Sequence, residues 1–139
     1  MARTVNEVMT HDPVVVQPSS PLTDAARFMR DSDVGDVLVA DGGELKGIVT
    51  DRDIVVRAIA DGRDPSSTKV GDVVTEPVTT VTPDQSASDA ARIMREKDVR
   101  RLPVVQDGRP VGIVSIGDLA VELDDESALA DISASSPNN

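Results

Sequence analysis

A chain of 139 residues has the size of one ordinary domain, and 39% hydrophobic content is enough to build a core. With no cysteine, Trp or Tyr and one Phe, it excludes disulfides and thiol chemistry and nearly excludes aromatic stacking on a ligand's base, so the core must come from Val, Ile, Leu, Ala and Met. The net charge of −11 argues against a general nucleic-acid binder. No apolar run approaches the ~20 residues of a membrane helix and the N-terminus lacks a signal-peptide core, so no membrane partner is expected and a cytoplasmic location is.

In chain order, residues 3–9 form a lead-in with Val5, Val8 and Met9 as its apolar positions, ending at Thr10. Pro13-Val14-Val15-Val16 is β-prone and is stopped by Pro18. Ser20-Pro21 opens a helix in which Leu22, Ala25, Ala26 and Met29 recur at i, i+3, i+4 and i+7, the stripe of a buried face. Two apolar runs around Asp41-Gly42-Gly43 then predict a hairpin. Thr50-x-x-Asp53 opens a second helix, with Ile54, Val55, Ala58 and Ile59 on one face and a stop at Gly62. Residues 63–69 read as a short linker.

The second half repeats the first. Val70, Val73 and Val74 answer the lead-in, which ends at Thr75, and Pro77 to Val81 is the β-prone run, stopped by Pro83. Ser86-x-x-Asp89 caps a helix with the stripe Ala87, Ala90, Ala91 and Met94. Val104-Val105 and Val111 to Val114 flank the turn Gln106-Asp107-Gly108-Arg109, and Ser115-x-x-Asp118 opens a helix with Ile116, Leu119, Ala120 and Leu123 on its face. Met29 and Met94, Gly47 and Gly112, Asp53 and Asp118 are each 65 residues apart, so most of the chain is one unit written twice. Two copies do not make an open solenoid and are expected to close on each other. The expected division is a first repeat over 3–62, a linker over 63–69, a second repeat over 70–123 and an acidic, frayed tail over 124–139.

Each unit reads strand, helix, strand, strand, helix. That order, the duplication, and the Gly-apolar-apolar-Ser/Thr-x-x-Asp signature at Gly47 to Asp53 and Gly112 to Asp118 resemble a tandem pair of cystathionine-β-synthase (CBS) domains, a Bateman module. The resemblance covers residues 3–123 and leaves no catalytic domain over. It implies an α/β (α+β) fold of two β-α-β-β-α repeats about a pseudo-twofold axis. It also implies a regulatory function without catalysis, in which AMP, ADP or ATP binds in clefts between the repeats and signals by conformational change. Mg²⁺ would enter only with ATP, and paired chains would form a homodimer acting on a regulated protein partner. The rival reading is a ligand-free module that binds a partner enzyme or transporter.

By that resemblance the motif aspartate accepts from the ribose hydroxyls and the Ser/Thr and helix start lie near the phosphates. One cleft would use Ile113, Ser115, Asp118 and Arg101 with Thr10, Val14, Val34 and Gly35. The other would use Ile48, Thr50, Arg52 and Asp53 with Thr75, Val78, Val99 and Arg100. Gly35-Asp36 stands where the second copy has Arg100-Arg101, so unequal occupancy is expected.

Each of these residue sets has an ordinary reading as well. Both Ser/Thr-x-x-Asp boxes are also capping boxes, in which the aspartate serves its helix. Arg100 and Arg101 also read as a solvated or salt-bridged pair. His11, the only histidine, reads as a turn residue, because one His without Cys cannot close a zinc site. Asp51 and Asp53 at a helix start complement its dipole, so no metal site is expected.

Overall fold

The computed structural model describes residues 3–75 and 78–123, and in it the duplication is visible down to single backbone angles. In order, the elements are α1 (Val5–Val8), β1 (Thr10–His11), β2 (Val15–Val16), α2 (Leu22–Ser32), β3 (Asp36–Asp41), β4 (Glu44–Thr50) and α3 (Asp51–Ile54). α3 runs on as a π-helical turn, Val55–Ile59, and a 3₁₀ turn follows at Val70–Asp72. Then come α4 (Ala87–Lys97), β5 (Arg101–Gln106), β6 (Arg109–Ser115) and α5 (Ile116–Leu123). This is the mixed α+β pattern that the repeated signature implies.

The equivalent helices α2 and α4 end alike. Asp33 and Asp98 both take the left-handed conformation, at φ 55°, and their N–H groups donate to the Met29 and Met94 carbonyls. α4 begins as its sequence predicts, with the Ser86 hydroxyl accepting from the Asp89 N–H at 3.0 Å. Leu22, Ala25 and Met29 are buried, as are Ala87, Ala90 and Met94. Ala26 is exposed and Ala91 only half-buried, so each stripe is narrower than its spacing suggests. Both hairpin turns need positive φ, at Gly42 and Gly43 (63° and 85°) and at Asp107 and Gly108 (56° and 81°), as tight two-residue hairpin loops require.

The chain forms two compact units, and these are not coextensive with the sequence repeats. One is Pro13–Val78 with Gly108–Pro110; the other consists of the described residues of Met1–Asp12, Thr79–Asp107 and Val111–Asn139. In the first, β2 runs parallel to β3 (Val15 opposite Leu38) and β4 antiparallel to β3 (Asp36 opposite Thr50, Val37 opposite Val49). Its core is Val16, Leu22, Ala25, Met29, Val37, Val39, Val49, Ile54, Ala58, Val70, Val73 and Val74. In the second, the strand order is β1-β6-β5, with Thr10 opposite Ile113 and His11 opposite Gly112, and Val81 bridges Val104. Its core is Val5, Met9, Val81, Ala87, Ala90, Met94, Leu102, Val104, Val114 and Leu119.

Aligning the two cores by the repeat exposes an exchange. All ten buried positions of the second core have a direct repeat equivalent in the first, but Val5 and Met9 from the first lead-in sit with the second copy, while Val70 and Val74 sit with the first. Residues 63–69 are correspondingly no loose tether. Thr68 is buried, its hydroxyl donates to the Asp64 carbonyl at 2.8 Å, and its own carbonyl accepts from the Leu22 N–H.

Three local expectations are corrected. Thr10, read as the end of the lead-in, and His11, read as a turn residue, form a strand, because β6 offers them an edge. The run to Val81 makes only a bridge among its described residues, residues 76–77 lying outside them. In the helix after Thr50, Ile54 and Ala58 are buried, but Val55, Val56 and Ile59 are 57%, 45% and 49% exposed. The Ala60 N–H donates to the Val55 carbonyl five residues back, the wide bond of a π turn. Ile116 is likewise exposed, whereas Leu119 is buried; the side chain of Leu123 and the tail over 124–139 lie outside the described residues.

Candidate functional site

Each motif aspartate closes the start of a helix. The Thr50 N–H donates to Asp53 Oδ2 at 3.0 Å and the Asp53 N–H donates to the Thr50 hydroxyl at 3.0 Å. The same reciprocal pair joins Ser115 and Asp118, at 3.0 and 3.2 Å. The capping reading is therefore correct, and it takes up one oxygen of each carboxylate. A carboxylate has about four acceptor positions. Oδ1 of Asp53 and of Asp118 receives no hydrogen bond among the described residues, and both side chains are half-buried.

Beside each box lies the threonine that ends a lead-in. Thr75 bridges Ile48 on β4, and its hydroxyl approaches Asp53 Oδ2 at 3.5 Å. Thr10 pairs with Ile113 on β6, two residues before Ser115. Both threonines are exposed. The structure thus brings Ile48, Thr50, Asp53 and Thr75 together in one unit and Thr10, Ile113, Ser115 and Asp118 in the other. Val14, Val34, Gly35, Arg52 and Val78 belong to the first of these units, and Val99, Arg100 and Arg101 to the second.

What allows the lead-ins so close is glycine. A Cβ at Gly47 would stand 2.6 Å from the Thr75 carbonyl oxygen and 2.6 Å from Val74 Cγ2. One at Gly112 would stand 2.8 Å from the Thr10 carbonyl oxygen and 2.5 Å from Met9 Sδ. Neither glycine has a positive φ, so close approach is the reason for the residue type. Sequence reasoning used these glycines only as part of a signature. The signal that would have exposed their role was the apolar residue and threonine ending each lead-in, Met9-Thr10 and Val74-Thr75.

Charge differs between the two helix starts. The Ile116 N–H donates to the Arg100 carbonyl at 2.8 Å, which puts an arginine backbone at the start of α5. In the equivalent place the Asp51 N–H donates to the carbonyl of Gly35, at 2.9 Å. Arg52 and Asp51 are exposed there, and Asp51 Oδ1 accepts from the Arg52 N–H. Asp36, which stands where the second copy has Arg101, is 8% exposed within β3, opposite Thr50. His11 is exposed on β1 with Nε2 3.1 Å from the Asn6 carbonyl, and no group of three or more His, Cys, Asp or Glu able to hold a metal occurs among the described residues.

With two such boxes at one repeat distance in view, comparison with known proteins is decisive. The CBS domain model matches residues 5–59 and again 70–125. The chain belongs to the CBS domain family. Its CBS pair is similar to CBS domain-containing protein YhcV of Bacillus subtilis, 40% identical over 125 residues that make up 89% of each chain. It is also similar to a crystal structure of Hypoxic Response Protein I with two coordinated zinc ions (34% identity, TM-score 0.78, 85% of this chain and 97% of that one). A hexameric CBS-CP12 protein from bloom-forming cyanobacteria matches at 27% identity and TM-score 0.77, covering 100% of this chain and 78% of that one. CBS pairs are in general regulatory modules. Among the described residues of this one, no helix is long and apolar enough to cross a membrane.

Proposed function

We propose that this CBS pair is a regulatory module that binds an adenine nucleotide at one or both of its Ser/Thr-x-x-Asp groups, signals by conformational change and catalyses no reaction. The observation that carries this reading is the half-used aspartate. Each cap holds Oδ2 in place and leaves Oδ1 as an oriented acceptor suited to the vicinal hydroxyls of a ribose, and at Asp53 the exposed Thr75 hydroxyl lies 3.5 Å from Oδ2. Ile48 and Ile113 supply apolar surface next to each group, and Arg52 and Arg100 are cations at the two helix starts. Among the described residues Mg²⁺ has no ligand set of its own, and it would enter with ATP. The chain acts as a homodimer in this reading, burying the exposed Val55, Val56 and Ile59. Thermal-shift measurement over AMP, ADP and ATP tests the reading, since a ligand at 100 times its Kd adds about 2.7 kcal/mol of stability. No shift with any of the three, together with capture of a partner protein by the unliganded chain, would replace it with the interaction-module reading.

A further inference from the structure

The helix that starts at Thr50 touches the second lead-in at two points, and both lie inside the compact unit that contains Pro13–Val78. In its first turn Asp53 Oδ2 lies 3.5 Å from the Thr75 hydroxyl. One turn further on, within the π turn, Arg57 reaches the same segment, and its Nη1 donates to the Val73 carbonyl at 3.0 Å. Val73 is 1% exposed, so this carbonyl is a buried acceptor, and a cationic donor is a strong partner for one. The same planar peptide group carries the Val74 N–H, which donates to the Val70 carbonyl at 3.1 Å. One peptide is thus held on both sides. From it the chain crosses Gly47 so closely that Val74 Cγ2 and the Thr75 carbonyl oxygen stand where a Cβ would be, and the Thr75 N–H donates to the Ile48 carbonyl at 3.0 Å.

We propose that Arg57 is the positioning residue of the Asp53 group: by holding the Val73 peptide it keeps the lead-in seated on Gly47 and Ile48 and the Thr75 hydroxyl beside Asp53. Without that donor the buried carbonyl turns in search of another, the Val74 N–H turns with it, and Thr75 draws back from Asp53. The neighbouring Arg63 does less, since its 3.3 Å pair with Asp72 is 40% and 49% exposed and open to solvent screening. The device belongs to the first copy, because the residue 65 positions on from Arg57 is Glu122. That a nucleotide on Asp53 binds more weakly once Arg57 is lost rests on the functional reading above; the hold on the lead-in does not.

Native-state amide hydrogen exchange on the full, unliganded chain tests the hold without reference to any ligand. Arg57 is exposed, so Arg57→Met keeps an apolar stem and removes the donor without opening the core. It is expected to speed exchange of the Val74 and Thr75 amides by on the order of tenfold relative to the Leu38 amide, which lies in the same unit and bonds to the Val14 carbonyl. Arg57→Lys, which keeps a cationic donor, should restore most of the protection, and Arg63→Met should leave it within about twofold of the parent. Arg57→Gln, whose amide ends short of the guanidinium it replaces, serves if Arg57→Met does not fold. A rise shared equally by Leu38, one that lysine does not reverse, or one matched by Arg63→Met would overturn the proposal. Calorimetric titration with AMP, on an Asp118→Ala background that isolates the Asp53 group, should show affinity lowered on the order of tenfold by Arg57→Met and recovered by Arg57→Lys. Affinity unmoved while exchange rises would overturn the positioning role. Absence of AMP binding to the parent chain would count against the functional reading alone, the hold being decided by the exchange ratio.

Discussion

The first residue of each Gly-apolar-apolar-Ser/Thr-x-x-Asp signature is explained by what passes over it. At Gly47 the obstacle to a methyl group is a backbone oxygen and a β-branched side chain, Thr75 O and Val74 Cγ2, both at 2.6 Å. At Gly112 one obstacle is the Thr10 carbonyl oxygen at 2.8 Å, but the other is the end of Met9, which can swing aside. Overpacking of this kind costs about 1–3 kcal/mol. Gly47→Ala should therefore lie at the upper end of that range and Gly112→Ala lower, read as the change in urea unfolding midpoint at constant slope. Equal costs would mean that the lead-in shifts as a whole rather than yielding at Met9. The aspartates were legible in the sequence as either caps or ligand contacts. The structure shows why spacing could not separate the two: one carboxylate has capacity for both.

At the scale of elements, most of what the sequence contains locally was legible: helix stripes at Leu22 to Met29 and Ala87 to Met94, the Ser86 cap, and the hairpin at Asp107-Gly108. The π turn over Val55–Ile59 was not, because an extra residue per turn leaves no mark in an i, i+3, i+4 pattern. Nor was the exchange of lead-ins, since Val5 and Val70 suit either core equally well. The left-handed Asp33 and Asp98 that end α2 and α4 are strained for a residue with a Cβ. Asp33→Gly and Asp98→Gly should each raise stability by about 0.5–1 kcal/mol in thermal unfolding. The short helix α1 has a pH-dependent cap. Glu7 accepts from the Thr4 N–H at 2.8 Å and lies 3.2 Å from its hydroxyl, and these bonds hold its carboxyl below the ordinary value of 4.5. A carboxyl lowered in the folded state contributes stability above its unfolded pKa and loses it as pH falls through the folded one. Glu7→Gln should accordingly be less stable than the parent at pH 7, and the gap should close below about pH 4, as urea melts across that range would read.

Across the whole molecule the two repeats share their backbone but not their charge. The apolar surface is also unequal, and Val55, Val56 and Ile59 form a patch on the π turn that dimerisation would cover. Ile59→Asp should then convert a dimer to a monomer by light scattering at micromolar concentration, and an unchanged mass would place the interface elsewhere. The helix starts differ more sharply. α5 opens with Ile116 and Gly117 beside Arg100 and carries one carboxylate in its first turn, Asp118. α3 opens with Asp51, Arg52 and Asp53 beside Gly35, so two carboxylates face one arginine there. A phosphate is favoured by a helix N-terminus and by cations, and repelled by an extra carboxylate within the ~8 Å over which exposed charges act at physiological ionic strength. AMP should thus prefer the Asp118 group, and Asp118→Ala should weaken it by about 10- to 150-fold, the equivalent of roughly 1.5–3 kcal/mol for a lost charged hydrogen bond. Asp53→Ala should weaken it less. Both substitutions also remove a cap and should cost folding stability about equally, near 1 kcal/mol, so melting temperature cannot distinguish the sites. Calorimetric titration can, if adenosine is run beside AMP. Should charge set the preference, adenosine will discriminate between the two variants less than AMP does; a larger loss for AMP at Asp53→Ala would invert the assignment.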